Sequence, residues 1–440
     1  MRIHFIGTGY VGLVSGVMMS YLGHDVTCLD TDISKIDQLK KNILPIYEPK
    51  LAKYLPPLVK SSKLKFTASY SAELRNAQAV FITVGTPPLP SGEADLQYIF
   101  TAIDNLCEWI NDDCLIVIKS TVPPTTCNQI IDYLKKRNLK FPVASNPEFL
   151  REGTAVDDFL TPDRILIGTN NKHAEDLLKK IYLPLTTKNI SLIKNISLIC
   201  TDLVTAELTK YASNAFLATK IAFINEMANL CERTGANIKE LSIAMGLDKR
   251  IGKECLNAGL GFGGSCFPKD LLALSQIAGH YQCNLQIVNS VISSNDQRVY
   301  DMADRIHYII NDNLTNKNIT VLGLTYKAGT DDIRSSPAIK IIKILIDKGA
   351  NIRAFDPIGM DNAKKELKNI FFADSALSAC QNSDIIVVAT EWSEFKDLDW
   401  SLVRHQVKSP IIIDFRHILN GDMLKSLGFK YYLIGTQYEV

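Results

Sequence analysis

The sequence predicts an α/β protein made of two Rossmann-like doubly wound domains joined by a long central helix, and three observations predict it. Arg2 to Ile6, a glycine turn, the helical run Tyr10 to Leu22 and the β-rich Asp25 to Leu29 make a strand–helix–strand unit. The same logic returns late in the chain, where Gly349-Ala-Asn-Ile-Arg-Ala-Phe-Asp356 aligns with Gly23-His-Asp-Val-Thr-Cys-Leu-Asp30. Between the two, Asp202 to Arg233 contains neither Gly nor Pro and is rich in Ala, Leu and Lys, with Thr201 or Asp202 as N-cap and Gly235 as stop.

In chain order, further buried-strand runs ending in turn residues fall at Ala79 to Val84, Leu115 to Lys119 and Phe141 to Ala144, each separated by helix-length sequence. The segment 1–200 therefore reads as a parallel doubly wound sheet. Segment 201–311 holds the long helix and then shorter ones, and the polar run Asn311 to Lys317 marks the best boundary. Segment 312–440 repeats the pattern with a strand at Ile319 to Leu324, a helix at Pro337 to Lys348 and a strand at Asp384 to Thr390. Two such sheets offer two nucleotide-binding crevices.

A chain of 440 residues has room for two or three compact units. Its 48 Lys and Arg against 47 Asp and Glu leave a net charge of +1, so no global field draws it to nucleic acid or to a membrane surface. Ten cysteines without a C-x-x-C pair read as reduced thiols, and a cytoplasmic location is expected. Tyr10 to Leu22 lacks a cationic lead beyond Arg2 and is not read as a leader; no run reaches the roughly 18 apolar residues of a membrane span. Seven histidines form no H-x-x-x-H or Cys/His cluster, so no metal site is expected.

Gly7-Thr-Gly9-Tyr10-Val11-Gly12 lies between the first strand and first helix, where its glycines allow a tight turn, close pyrophosphate approach and close helix packing. A glycine cluster alone can be only a turn. Asp30, ending the second strand, adds a carboxylate that can accept both ribose hydroxyls and would repel a 2′-phosphate, so the expected cofactor is NAD rather than NADP. The loop Gly261-Phe262-Gly263-Gly264-Ser-Cys266-Phe-Pro268-Lys-Asp270 delivers a cysteine at a Pro-started helix, where the helix terminus and Lys269 favour the thiolate. Nine of the ten cysteines read as small core residues; Cys266 is the candidate nucleophile toward a carbonyl. Lys210 and Asn214 share a helix face, and a cation with an amide donor would suit an oxyanion, although a lone Lys more often faces solvent. Asn146 to Gly153 follows a strand and sets Glu148 and Glu152 at a strand C-terminal end.

Taken together with Pro45-Ile-Tyr-Glu-Pro49, Val84-Gly-Thr-Pro87, Lys119-Ser-Thr-Val-Pro123, Pro162-Asp-Arg164, Lys210 to Glu226 and Gly323-Leu-Thr-Tyr-Lys-Ala-Gly329, these segments make the whole chain resemble the nucleotide-sugar 6-dehydrogenases. The resemblance implies a four-electron oxidation of a sugar primary alcohol to a carboxylate using NAD twice, UDP-glucose to UDP-glucuronate being expected ahead of a GDP-mannose substrate. It gives Cys266 the role of thiohemiacetal and thioester nucleophile, Lys210 and Asn214 that of oxyanion partners, and Asp270, Thr121 and Glu148 the binding or activation of water. For NAD it implies Gly7, Gly9, Tyr10, Val11, Gly12, Asp30, Lys35, Thr86, Thr121, Glu152 and Arg334. For the sugar nucleotide it implies Glu148, Phe149, Leu150, Glu152, Lys210, Asn214, Phe262, Gly263 and Lys327, with Arg250 reaching the partner subunit of a homodimer. On this basis segment 201–311 would also serve dimerisation and segment 312–440 would bind the UDP-sugar. Departures from the family pattern are Cys255 for an aromatic residue, Lys50 for Gly, and Pro124-Thr125 for Val-Gly. A non-catalytic dinucleotide sensor is the alternative of another class, and it would not need Cys266, Lys210 and Asn214 together.

Overall fold

The computed structural model describes residues 1–187, 196–310 and 313–437, and within them the chain forms two compact units, 1–213 and 214–440. The first two residues of the expected boundary run, Asn311 and its neighbour at 312, lie outside the described residues, as does the end of segment 312–440.

The first unit is built on an eight-stranded sheet. Its strands are β1 (Arg2–Ile6), β2 (Asp25–Leu29), β3 (Leu64–Thr67), β4 (Ala79–Ile82), β5 (Leu115–Ile118), β6 (Val143–Ser145), β7 (Arg164–Gly168) and β8 (Ser197–Thr201), in the order β3-β2-β1-β4-β5-β6-β7-β8. β4 and β5 are buried along their whole length and read as unbroken runs of apolar residues, as strands covered on both faces by helices should. The order reverses at β1 and β4, which opens a crevice at their C-terminal ends, where Gly7 and Thr83 follow. The sheet departs from the all-parallel expectation at one step: β6 meets β7 antiparallel, through Ser145 and Gly168. Between them the chain is taken up by the Asn146–Gly153 loop and the short helix Ala155–Leu160, leaving no full crossover helix to return the chain in parallel. β3, β7 and β8 are strands the sequence reading does not include; β7 is buried along Ile165 to Gly168, β3 alternates buried and exposed residues, and β8 is largely exposed.

The central helix, Leu203–Thr234, is 32 residues long and uninterrupted, with the Asp202 carboxylate accepting from the Thr205 N–H at 2.8 Å as its cap. It begins in the first unit and continues into the second. The second unit adds Ile238–Gly246, Phe267–His280 and Gln286–Ile310. The last runs for 25 residues, so the short helices expected up to residue 311 include one long one, its buried face Val291, Asn295, Arg298, Val299, Met302, Ala303 and Ile306 following helical spacing.

The second sheet has six parallel strands: β9 (Asn318–Leu322), β10 (Asn351–Phe355), β11 (Phe371–Phe372), β12 (Ile385–Val388), β13 (Ile411–Asp414) and β14 (Lys430–Leu433), ordered β11-β10-β9-β12-β13-β14. Its order change lies between β9 and β12, the counterpart of β1 and β4. The internal repeat seen in the sequence is thus a repeat of topology.

Candidate active site

The glycine loop follows β1 and runs into the helix Tyr10–Tyr21. Gly7 has φ +98°, and a Cβ there would sit 2.9 Å from the Thr83 carbonyl oxygen; at Gly12 it would overlap the Gly7 carbonyl, so both positions demand glycine. At Gly9 a Cβ would meet no described atom within 4 Å, which leaves the backbone open at the helix N-terminus where a pyrophosphate would lie. Asp30 stands beside this loop: its carboxylate accepts the Thr8 N–H at 2.7 Å, the Thr8 hydroxyl at 2.8 Å and the Asp32 N–H at 3.0 Å, and pairs with Lys35 at 3.2 Å. Burial alone would raise its pKa, but these donors and the Lys35 charge outweigh burial and hold it below the usual carboxylate range. An open cradle with an ionised carboxylate beside it fits a dinucleotide with free ribose hydroxyls.

Tyr10 opens the helix and donates to the buried Glu48, and the Gly153 N–H donates to both the Tyr10 hydroxyl, at 2.7 Å, and Glu48, at 2.9 Å. Burial and the adjacent Glu48 carboxylate push the Tyr10 phenol up. Glu152, half-buried, is carried by the same loop. Thr86, after β4, donates its hydroxyl to the carbonyl of Thr121, after β5, at 2.8 Å, which joins two of the expected cofactor residues.

Glu148, Phe149 and Leu150 follow β6. Glu148 is 6% exposed and pairs with Lys210 of the central helix at 3.2 Å, while its other oxygen accepts the Leu150 N–H. Phe149 is covered by Arg164, 3.6 Å from the ring centroid, with the Lys210 ammonium 5.3 Å from the same ring. Lys119 is buried in the same neighbourhood and bonded to Asn146. Lys119, Asn146, Glu48 and Arg164 lie within the sequence motifs but carry no role there; for Lys119 the signal in the sequence is a lysine ending an apolar strand.

In the second unit Cys266 caps the helix Phe267–His280, half-buried, with the Ser265 hydroxyl 3.5 Å from its sulfur. Asp270 in the first turn is 1% exposed, accepts from the Asn214 amide at 2.6 Å and pairs with Lys269 at 2.5 Å. The lysine expected to favour the thiolate is thus engaged with its neighbour's carboxylate. Phe262 donates its N–H to Asn295 at 2.8 Å, a Cβ at Gly263 would sit 2.4 Å from the Ser335 carbonyl, and the Gly264 N–H donates to the Arg334 carbonyl at 2.9 Å. The cysteine loop is therefore laid against the segment bearing Arg334, whose guanidinium is held by Asp332 at 2.8 Å. Lys327 lies 5.7 Å from the Tyr326 ring, next to that segment. Arg250 is not drawn in: its side chain is 89% exposed and bonded to Asp248.

Two departures from the family pattern have a backbone consequence. Thr125, at a family glycine, adopts φ +75°, and Cys255 adopts φ +62°. Thr125 is steadied by Glu207, whose two oxygens accept the Thr125 and Cys127 N–H groups at 2.7 Å each, and burial raises the Glu207 carboxyl to about 7. Lys50 lies at φ −89°, an ordinary conformation at the start of Leu51–Lys60.

Comparison with known proteins agrees along the chain. Residues 1–186 match the NAD binding domain of the UDP-glucose/GDP-mannose dehydrogenase family, 204–297 its central domain and 320–421 its UDP binding domain. The UDP-glucose 6-dehydrogenase of Rickettsia conorii is 60% identical over 439 residues, covering 99% of this chain and all of that one. That of Rhizobium meliloti is 41% identical, with 99% of each chain covered. The solved structure of a UDP-glucose dehydrogenase from Pyrobaculum islandicum superposes with a TM-score of 0.89 at 34% identity, covering 99% of this chain and 98% of that one. Fold, cofactor loop and sequence together place the chain in the UDP-glucose/GDP-mannose dehydrogenase family, as an NAD-dependent oxidoreductase.

Proposed function

We propose that the enzyme oxidises UDP-glucose to UDP-glucuronate through a covalent intermediate on Cys266. The observation that carries this reading is the placement of Cys266 at the start of a 14-residue helix whose first turn holds the buried Asp270, itself bonded to Asn214. NAD, when bound, accepts a hydride in each of the two oxidations. The Gly7 to Gly12 loop and Asp30, with Lys35, Thr86, Thr121, Glu152 and Arg334, bind and orient it. Cys266 adds its sulfur to the C6 aldehyde as a thiohemiacetal and then holds the acyl group as a thioester until water cleaves it to the carboxylate, restoring the thiol. Lys210 and Asn214, four residues apart on one helix, donate to the oxygen that carries the charge. Asp270, Thr121 and Glu148 bind or activate the water, and Phe149, Leu150, Glu152, Phe262, Gly263 and Lys327 hold the sugar nucleotide. In this assignment 1–200 binds the cofactor, 201–311 dimerises and 312–440 binds the UDP-sugar.

We place the enzyme in the cytoplasm as a homodimer. Ten free thiols suit a reducing compartment. Leu208, Phe216, Phe223 and Leu230 of the central helix are 42–66% exposed, the last three spaced by seven residues along one stripe, a face suited to a second copy. The exposed Arg250 would then serve the partner's sugar nucleotide, which accounts for its 89% exposure.

Steady-state NADH formation with UDP-glucose tests the chemistry. Cys266→Ser should lower turnover by about 1,000-fold or more while still binding UDP-glucose, whereas Cys255→Ser should keep most activity. A Cys266→Ser enzyme turning over at near wild-type rate removes the covalent mechanism. For assembly, sedimentation of Phe223→Glu should show a shift toward monomer with lowered activity; a fully active wild-type monomer contradicts the dimer.

A further inference from the structure

We propose that Lys119 is a positioning residue for the reaction, its buried ammonium anchoring the turn from Asn146 to Glu148 and so fixing the carboxylate that meets Lys210. The inference rests on the roles proposed above for Glu148 and Lys210. Lys119 directly follows β5 and is 5% exposed. Its Nζ lies 3.2 Å from Asn146 Oδ1 and 3.4 Å from the Asn146 carbonyl oxygen. Asn146 is fixed from two further sides, donating its amide to the Leu166 carbonyl at 2.8 Å and accepting the Tyr182 hydroxyl at 2.5 Å. Two residues on, Glu148 meets Lys210.

Burying a lysine is costly, and a methionine could fill the same volume without desolvating a charge. The retained charge therefore points to a use. The ionisable groups that face it are Glu148 from the β6 turn, which favours its charge, and Lys210 from the central helix, which opposes it. Tyr182 reaches it through Asn146, and Arg164 of β7 is set off behind the Phe149 ring. Burial is the largest influence, and the outcome is an ammonium lowered to about 8. Below that pH the charged Lys119 holds Asn146 through charge-assisted bonds and keeps Glu148, two residues on, set against Lys210. Above it Lys119 is neutral, those bonds weaken and the turn that carries Glu148 is held less firmly. The contribution is thus present below about 8 and lost as pH rises through it.

The test compares wild type, Lys119→Met and Lys119→Arg as full-length enzymes, by kcat and KM for UDP-glucose and NAD from about pH 6 to about 9.5, with thermal unfolding alongside. Wild-type turnover of UDP-glucose in the same assay checks the functional reading separately. Lys119→Met should lose kcat about 10-fold or more at neutral pH with both KM values changed about 2-fold or less, and should lack the decline near 8. Lys119→Arg, which stays charged, should retain neutral-pH activity within a few-fold and carry the basic decline upward by about one pH unit or more. Near wild-type kcat in folded Lys119→Met, or a basic decline in Lys119→Arg that coincides with wild type, overturns the proposal. Should Lys119→Met fail to fold, the Lys119→Arg profile decides alone.

Discussion

At the end of its second strand each sheet carries an aspartate, Asp30 after β2 and Asp356 after β10, and the two carboxylates are spent differently. Asp356 is fully buried and accepts the N–H groups of Leu324, Thr325, Ile358 and Gly359, the Thr325 hydroxyl and the Trp392 indole N–H, at 2.7 to 3.1 Å. Asp30 retains 13% side-chain exposure beside an open glycine loop. Gly323, which follows β9 as Gly7 follows β1, is equally enclosed, a Cβ there running into the side chain of Thr390. Matching topology and a matching aspartate therefore do not make two equivalent sites: in one sheet the carboxylate stays partly exposed beside an open loop, in the other it fastens three loops to the sheet's end. Availability of the carboxylate, more than its position, carries the function.

The contrast can be broken most forcefully at Asp356. Asp356→Ala strands several buried donors at once and should destabilise the second unit by about 3–5 kcal/mol, whereas Asp30→Ala should cost roughly 1 kcal/mol or less. Urea unfolding of both variants measures this, and equal losses would show that Asp30 is also a structural fastener.

A change of intermediate size is expected in cofactor choice. Asp30→Ser removes the charge that opposes a 2′-phosphate, so the ratio of kcat/KM for NAD over NADP should fall by about 10-fold or more, while the equivalent Asp356→Ser leaves the ratio unchanged in whatever fraction folds. A wild-type enzyme that uses NADP as well as NAD would refute the assignment of Asp30.

The smallest effect lies in the acid limb of stability. Because Asp30 is held below its ordinary value of 3.8, its contribution to folding is complete above that value and is lost as pH falls through the lowered folded one. Asp30→Asn should slightly flatten the fall of the unfolding midpoint in acid. A curve as steep as wild type would mean that the donors around Asp30 contribute no linkage.

Much of the cofactor half of the site was legible because its chemistry is local. A strand, three glycines in six residues and an acid eighteen residues on define a turn, a helix start and a carboxylate beside the loop, all specified by backbone geometry within one unit of structure. Cys266 was legible for the same reason, since the residues that place it at a helix start, Gly264 and Pro268, are its neighbours in the chain. The antiparallel β6–β7 step was not, because a single residue pair sets it and neither strand encodes its partner's direction. Nor could the length of Gln286–Ile310 be read, where Ser, Asn and Asp dilute a pattern that burial on one face restores.

By itself, then, the sequence determined the class of fold, the position of the glycine loop, the placement of Cys266 at a helix start and the face shared by Lys210 and Asn214, since each follows from spacing along one element. Only the tertiary structure decided that Asp356 is consumed by backbone donors, that Lys269 is claimed by Asp270, and that Lys119, Glu148 and Lys210 form one buried group. The physical reason is burial. Whether a charged side chain is solvated, paired or left available depends on groups brought from distant parts of the chain, and removing water is what turns their separate charges into one coupled site.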